Sequence, residues 1–368
     1  MILVTGGAGF IGSHLIDELL RRGHRVRVLD AFVEQVHGSN PYQLPSDVDV
    51  IQGDVRDRGV LDKALDDIDV VFHEAAEVGV GQSMYAIERY VGGNTFATAT
   101  LLEAIVARRT QIRKLIVASS MSIYGEGAYR CETCGPVAPQ LRPLTLLESR
   151  DWEMHCPACG SDLQPVATSE TKPLDPASVY AVTKQDQEQL CIIVGRAYGV
   201  PTIALRYFNV YGTRQALSNP YTGVAAIFSS RLLNGQPPLV YEDGLQSRDF
   251  THVNDIVQAN IRAMDSDAAN FQVINVGTGV STSVGRVAQL LAKGLGVSIE
   301  PVIVGRFREG DIRHCFADIS RARKLLAYEP TVSLEQGIPQ LLDWARGQEA
   351  VDGVERAARE LQSFGLVR

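Results

Sequence analysis

The chain has no apolar run approaching the roughly 20 residues that cross a bilayer, and it has no long run of lysine or arginine. Its 35 basic residues are outnumbered by 43 acidic ones, a formal charge of −8. The first absence excludes a membrane-spanning helix. The second argues against nucleic acid or an anionic membrane surface as partner, because both demand a concentrated basic face. Cysteine is scarce, six in 368 residues; Cys131, Cys134, Cys156 and Cys159 fall in two pairs, while Cys191 and Cys315 stand alone. That distribution excludes a disulfide scaffold and fits a reducing compartment. No internal repeat or low-complexity segment interrupts the chain, and the first apolar tetrad begins at Ile2, which leaves no room for a signal peptide. The expectation is a cytoplasmic globular protein that handles small molecules, with 45% apolar residues to build a large core.

What is present begins at once. Ile2 to Thr5 reads as a buried strand, and Gly6, Gly7, Gly9 and Gly12 follow it. Glycines there let backbone N–H groups approach a pyrophosphate at the N-terminus of the next helix, whose apolar positions Ile11, Leu15, Leu19 and Ile16, Leu20 form a core-facing stripe ended by Gly23. A second strand, Arg25 to Leu29, leads into Asp30, about 20 residues beyond the glycines, where a carboxylate can accept the ribose hydroxyls of an adenosine. An acid at that place favours NAD over NADP, although Arg25 and Arg27 keep the alternative open.

Farther along, Val48–Ile51, Val70–Phe72 and Lys114–Ser119 read as strands and Val60–Leu65 and Thr95–Arg108 as helices. A long helix over Tyr180–Tyr198 and a strand over Thr202–Tyr207 continue the alternation, which predicts an α/β fold with a doubly wound parallel sheet. Residues 1–208 then form a dinucleotide-binding domain and 209–345 a smaller α/β substrate domain, from which 251–280 returns to the large sheet through a strand at Gln272–Val276. Residues 346–368 are expected to be a helical tail, and the amphipathic stretch from Leu334 to Leu361 reads as capping helices.

Tyr180 and Lys184 stand four positions apart on the long helix and project from one face. A lysine ammonium and an oxidised nicotinamide ring would both stabilise a phenolate, turning Tyr180 into a base near neutrality. Ser119 and Ser120 end the fifth strand, where a hydroxyl can bond the same substrate oxygen.

With those residues in place, the chain resembles the extended short-chain dehydrogenases/reductases, in particular the nucleotide-sugar epimerase and dehydratase branch, over roughly residues 1–345. Gly53-Asp54-Val55 resembles the adenine-contacting segment, His73-Glu74-Ala75-Ala76 the turn beside the cofactor, Asn94 the asparagine of the next helix, and Ser119 to Gly125 the serine strand, with Ser120 in the catalytic register. Tyr207 to Gly212 resembles the segment joining nicotinamide to sugar diphosphate, and Arg248 to Val253 and Arg308 to Asp311 resemble the elements that hold the nucleotide. The resemblance implies a catalytic set of Ser120, Tyr180 and Lys184. It implies NAD contacts from Gly6, Gly9, Phe10, Ile11, Gly12, Asp30, Asp54, Val55, Ala75, Ala76, Asn94, Ser119, Tyr180, Lys184 and Tyr207. Substrate contacts would come from Ser120, Ser122, Asn209, Arg248, Arg308 and Asp311. Ala97 departs from the glycine usual there.

Dehydratases of this branch carry Asp-Glu where this chain has Met121-Ser122. Methionine cannot move the protons of dehydration, so the resemblance implies 4-epimerisation: oxidation at one sugar carbon, rotation of the keto sugar, and hydride return to its other face. The expected conversion is dTDP-L-rhamnose to dTDP-6-deoxy-L-talose, with UDP-glucose or UDP-glucuronate 4-epimerisation, 4-keto reduction and a catalytically silent NAD-binding scaffold as alternatives. It also implies a homodimer through the helices after Asn94 and Tyr180.

Between Gly125 and Tyr180 lie about forty residues more than this family needs. They hold Cys131-Glu132-Thr133-Cys134-Gly135 and Cys156-Pro157-Ala158-Cys159-Gly160, two Cys-x-x-Cys turns 21 residues apart. That spacing predicts a zinc ribbon over 128–169 whose four thiolates fill the shell and make the metal structural. The ribbon is expected to form a lid or wall over the sugar pocket or a contact with a second subunit. His155 is read as a bystander.

Overall fold

A computed structural model describes residues 1–38 and 42–367. Seven parallel strands form the central sheet: β1 (Ile2–Thr5), β2 (Val26–Asp30), β3 (Asp49–Gln52), β4 (Val70–His73), β5 (Lys114–Ser120), β6 (Thr202–Tyr207) and β7 (Val273–Val276), in the order 7-6-5-4-1-2-3. The order reverses between β1 and β4, so the crevice at their carboxyl ends is the place for a ligand. Side chains alternate across the sheet as strand geometry requires. Ile2, Val4, Ile116 and Ala118 face one core, and Leu3, Leu115 and Val117 face the other.

Nine helices matter for the site: α1 (Phe10–Arg21), α2 (Arg58–Ala64), α3 (Ala97–Ala107), α4 (Val179–Tyr198), α5 (Val224–Leu233), α6 (Val253–Asp265), α7 (Val284–Leu295), α8 (Leu334–Ala345) and α9 (Val354–Ser363). α1 and α6 cover the first face with Leu15, Leu19, Ile256 and Met264, and α2, α3 and α4 cover the second with Leu61, Leu101, Ile105 and Ile192. Two of these helices end or begin by rules visible in their sequence. Gly23, at φ +81°, ends α1; Ser178 caps α4 by accepting the N–H of Ala181; and Gly199, in the left-handed region, closes α4. The expected helix from Thr95 is entered differently: Val91–Phe96 is a π-helical turn, and α-helical winding starts only at Ala97.

The strand expected at 272–276 pairs in parallel with β6, and α6 packs on α1, so the chain returns to the large sheet after leaving it. A second core, built by Phe228, Leu232, Val287, Leu291, Ile338 and Leu341, belongs to α5, α7 and α8. The insertion is a three-stranded antiparallel sheet, with Ala128–Cys131 between Gly135–Val137 and Gln164–Val166. No helix among the described residues is long and apolar enough to cross a membrane.

Candidate active site and metal centre

At the carboxyl ends of the strands a cavity of about 1570 Å³ runs from the glycine turn to the segment 308–312. The turn has no room for side chains. Gly6 sits at φ +69°, and a Cβ there would lie 2.8 Å from the backbone of Ala75; a Cβ at Gly12 would be driven into the carbonyl of Gly6 and to 2.7 Å from Gly7 Cα. Backbone therefore lies bare at the start of α1, where N–H groups and helix dipole favour an anion. Gly12→Ala is expected to displace the turn and weaken NAD binding at least tenfold with the fold intact; titration of NAD against protein fluorescence checks this, and unchanged affinity refutes it.

Asp30 closes the turn from the side. One carboxylate oxygen accepts the N–H of Ala8 at 2.9 Å, and the other accepts the N–H of Phe32 at 2.9 Å and lies 3.2 Å from His37 Nε2. Arg27, which kept NADP open in the sequence, is committed elsewhere: it pairs with Asp49 at 2.6 Å and donates to the carbonyls of Lys63, Ala64 and Asp66. Arg25 precedes β2, at the end of the strand opposite Asp30. No arginine of this strand is thus poised for a 2′-phosphate.

Tyr180, Lys184 and Ser120 all reach the cavity. Ser120 eases the Tyr180 phenol toward ionisation, and its hydroxyl takes the N–H and the hydroxyl of Ser122 at 3.1 and 2.9 Å. Lys184 is anchored on the backbone of β5. Its ammonium donates to the Ala118 carbonyl at 2.8 Å, and burial lowers its pKa to about 8, opposed by the charge of Glu74. Burial likewise pushes Tyr180 up to about 12, with only Ser120 pulling it down. In the protein alone the phenol is neutral, because desolvation outweighs the influence of Ser120.

Glu74, which the sequence reading quoted without a role, lines the cavity and accepts the Tyr207 hydroxyl at 2.8 Å; Asn260 donates to that hydroxyl at 2.7 Å. An acid two residues after the apolar run Val70–Phe72 was the available signal. Burial raises its pKa to about 7 against the pull of Tyr207 and Lys184. A folded-state value above the unfolded one means stability that is full below about pH 4.5 and is lost as pH rises through 7. Relative to Glu74→Gln, the wild-type protein without ligand should therefore lose on the order of 1–2 kcal/mol between pH 5 and 8. Parallel melting curves across that range would show it, and a constant difference between the two proteins would contradict it.

Of the expected cofactor contacts, Ser119 lines the cavity with its hydroxyl turned away, and Asn94 stands outside the lining. The Ser119 hydroxyl donates to Glu188 at 2.7 Å, on the far side of the strand from Ser120, as alternation demands. Asn94 is fully buried, with its amide closed on both backbone groups of Glu77 and on Thr183, so it braces the turn after β4 instead of facing the cavity. Phe10, Ile11, Asp54, Val55, Ala75, Ala76 and Tyr207 all line the cavity. Asp54 is held by Arg56, whose guanidinium keeps its carboxyl low.

At the other end stand Ser122, Asn209, Arg248, Arg308 and Asp311. Two polar atoms there are buried without a protein partner, Asn209 Oδ1 and Arg308 Nε. Orphaned groups of this kind are costly unless a ligand satisfies them. Arg248 donates to the carbonyls of Ser247, Ile312 and Arg313 at 2.7–3.0 Å, and Arg308 lies over the Tyr241 ring at 4.1 Å. Sequence reading missed Tyr241 and also α9, taken as a cap: Ala357, Ala358 and Leu361 wall the cavity, and Glu360 receives the hydroxyls of Tyr85 and Tyr221.

The four paired cysteines converge. Their sulfurs lie within 4.8 Å of one another, one pair at 3.5 Å, around the roughly 3.8 Å edge of a tetrahedron with 2.3 Å metal–sulfur bonds. The donor set fits Zn²⁺. His155 stays outside it, bridging Asp151 and Asp162 at 2.8 and 2.9 Å. The lid or wall expected of the insertion is not found, since no residue of 128–169 lines the cavity among those described.

Known proteins agree with this geometry. A dTDP-L-rhamnose 4-epimerase from Burkholderia thailandensis is 35% identical over 347 residues, 93% of this chain and 94% of the relative. UDP-glucose 4-epimerase from Thermotoga maritima, solved with UDP-glucose, superposes with a TM-score of 0.76 at 30% identity, covering 94% of this chain and 98% of that one. UDP-glucuronic acid 4-epimerase from Bacillus cereus, solved with its substrate and NAD, gives 0.75 at 31% with the same coverage. The model of the NAD-dependent epimerase/dehydratase family matches residues 2–143 and 157–277, and the chain belongs to that family.

Proposed function

We propose that the protein is an NAD-dependent nucleotide-sugar 4-epimerase, with dTDP-L-rhamnose and dTDP-6-deoxy-L-talose as its pair. The observation that carries the reaction type is the convergence of Tyr180, Ser120 and Lys184 on one cavity, whose adjoining positions are Met121-Ser122 and hold no acid pair. The rhamnose assignment rests on the relative from Burkholderia thailandensis. A cavity of about 1570 Å³ exceeds the roughly 300–1,000 Å³ of a one-ligand pocket, room for a dinucleotide and a sugar nucleotide end to end.

The bare backbone of Gly6, Gly9 and Gly12 would hold the pyrophosphate, with Asp30 at the ribose and Ala75–Ala76 beside it. NAD, when bound, supplies a hydride acceptor that gives the hydride back, and its positive ring. Tyr180 takes the hydroxyl proton of the sugar and later returns it; Ser120 bonds the same oxygen; Lys184, anchored on Ala118, carries its charge behind them at neutral pH. Asn209, Arg248, Arg308 and Asp311 would hold the nucleotide diphosphate. The cysteine cluster would hold a structural zinc. Apolar side chains exposed beside and on α3 and α4, namely Val91, Phe96, Val182 and Ile193, support a homodimer through these helices.

Incubation with UDP-, dTDP- and GDP-sugars and separation of the products tests the assignment. Interconversion of the dTDP-deoxy sugars without added cofactor supports it. Stoichiometric oxidation of NADPH by a keto sugar, or no conversion at all, refutes it.

A further inference from the structure

Three features of the molecule lie outside this reaction: the wall made by α9, the Glu74–Tyr207–Asn260 chain, and a buried ion cluster beneath the insertion. The cluster goes furthest. Arg313 is wholly buried, yet its guanidinium donates to Glu242 at 2.9 Å, to Asp243 at 2.7 and 2.9 Å, and to Glu153 at 2.5 and 3.1 Å. Arg142, also buried, donates to both oxygens of Glu242 at 2.7 and 3.0 Å and to the Asp311 carbonyl at 3.2 Å. Glu126, fully buried and pushed toward its neutral form by that burial, accepts the N–H groups of Arg313 and His314 at 2.6 and 3.3 Å. His314 faces Glu153 at 3.3 Å.

The partners divide cleanly. Arg142 and Glu153 stand on the stretch between the two cysteine turns, while Glu242, Asp243 and Arg313 belong to the substrate half. Glu153 is three residues from Cys156, and Met154 is fixed to the other arm by the N–H of Leu163 at 2.8 Å. On the opposite side of the cluster, the carbonyls of Ile312 and Arg313 hold the Arg248 guanidinium, and Asp311 lines the cavity two residues away. Arg142, 1% exposed, cannot be withdrawn without leaving the buried Glu242 carboxylate less compensated, and Glu153, 43% exposed, closes the cluster at its rim, so the two halves are fixed together.

We propose that the cysteine-clamped insertion is a positioning device for the nucleotide end of the substrate: through Glu153 and Arg142 it fixes the 308–314 segment and hence the aim of Arg248 and Arg308. This rests on the nucleotide-sugar reading. The metal then governs affinity for the nucleoside diphosphate without touching it, and the NAD end, on the other side of the sheet crevice, is indifferent to it.

Glu153→Gln is the first test, since it spares every cysteine. We expect KM for the nucleotide sugar, and the calorimetric Kd for UDP and dTDP, to rise about tenfold, with kcat within about threefold, one zinc per chain and unchanged NAD content. Because this variant could fail to fold, the second arm titrates UDP and dTDP into wild-type protein before and after zinc is removed by a chelator; affinity should fall by a similar factor. Unchanged nucleotide affinity in both arms overturns the inference and leaves the enzymatic reading standing. A wild-type protein that binds neither nucleotide and converts no sugar overturns both.

Discussion

Tyr180→Phe is expected to lower kcat by about 10³–10⁴-fold, the upper range for loss of a positioned proton-transfer group, with NAD content and melting temperature almost unchanged. The reason lies in the phenol's surroundings. Buried, with only Ser120 easing its ionisation, it is held at about 12, so at pH 7 only about one molecule in 10⁵ is ionised without further positive charge. Proton removal from the sugar thus depends on this oxygen meeting cofactor and substrate together, and neither Ser120 nor the carbonyl-bound Lys184 stands in for it. The fold has little stake in the hydroxyl, because Ser120 keeps its bonds to Ser122 and the ring remains to fill its site. Single-turnover measurements with a substrate from the panel decide the matter; a variant within tenfold of wild type would remove Tyr180 from the reaction.

How much of this could be read in advance follows from the range of each interaction. The parallel sheet is legible because its strands are short apolar runs alternating with helical periods, and the errors stay at boundaries. β3 runs from Asp49 to Gln52, one residue later than the apolar run Val48–Ile51, since it is the exposed edge strand and pairing with β2 sets its ends. The glycine turn, Asp30 and the Tyr180–Lys184 spacing are local patterns and come together in one cavity. Where charges finish is not local. Same-face spacing put Lys184 beside Tyr180, but the nearest acceptor of its ammonium is the Ala118 carbonyl, on a strand 66 residues away in sequence. The division of labour between Ser119 and Ser120 was legible and was missed, since alternation along β5 must send neighbouring side chains to opposite faces. The place of the insertion was beyond reach: Glu153 meets Arg313 160 residues away and Arg142 meets Glu242 100 residues away, with no periodicity to announce either. The tail was read as a cap for the same reason, because Leu361 meets Gly81 and Glu360 meets Tyr85 and Tyr221 only after the chain has folded.

Cys131→Ser is expected to empty the metal centre, expose 132–163 to proteolysis and add a low-temperature step to the melting curve, while NAD content persists. Within the insertion the buried apolar cluster consists of Tyr129, Cys131, Met154, Cys156 and Leu163, and two of these five are themselves ligands. That is far less apolar surface than an independent fold of this length needs, whereas a structural zinc contributes about 10–16 kcal/mol of apparent binding energy to such a module. On the zinc reading, metal rather than burial would decide whether the arms stay together. The ion cluster cannot replace it, because Glu153 and Arg142 reach their partners only when the arms are already placed, and ordering them costs roughly 1–2 kcal/mol per backbone residue. The glycine turn depends on β1, β2 and α1, none of which touches the insertion sheet, so cofactor retention separates local melting from global unfolding. Metal analysis, limited proteolysis and calorimetry on one preparation make the test: wild-type protein isolated without metal, yet protease-resistant and melting in one step, would show that the four sulfurs meet for another reason.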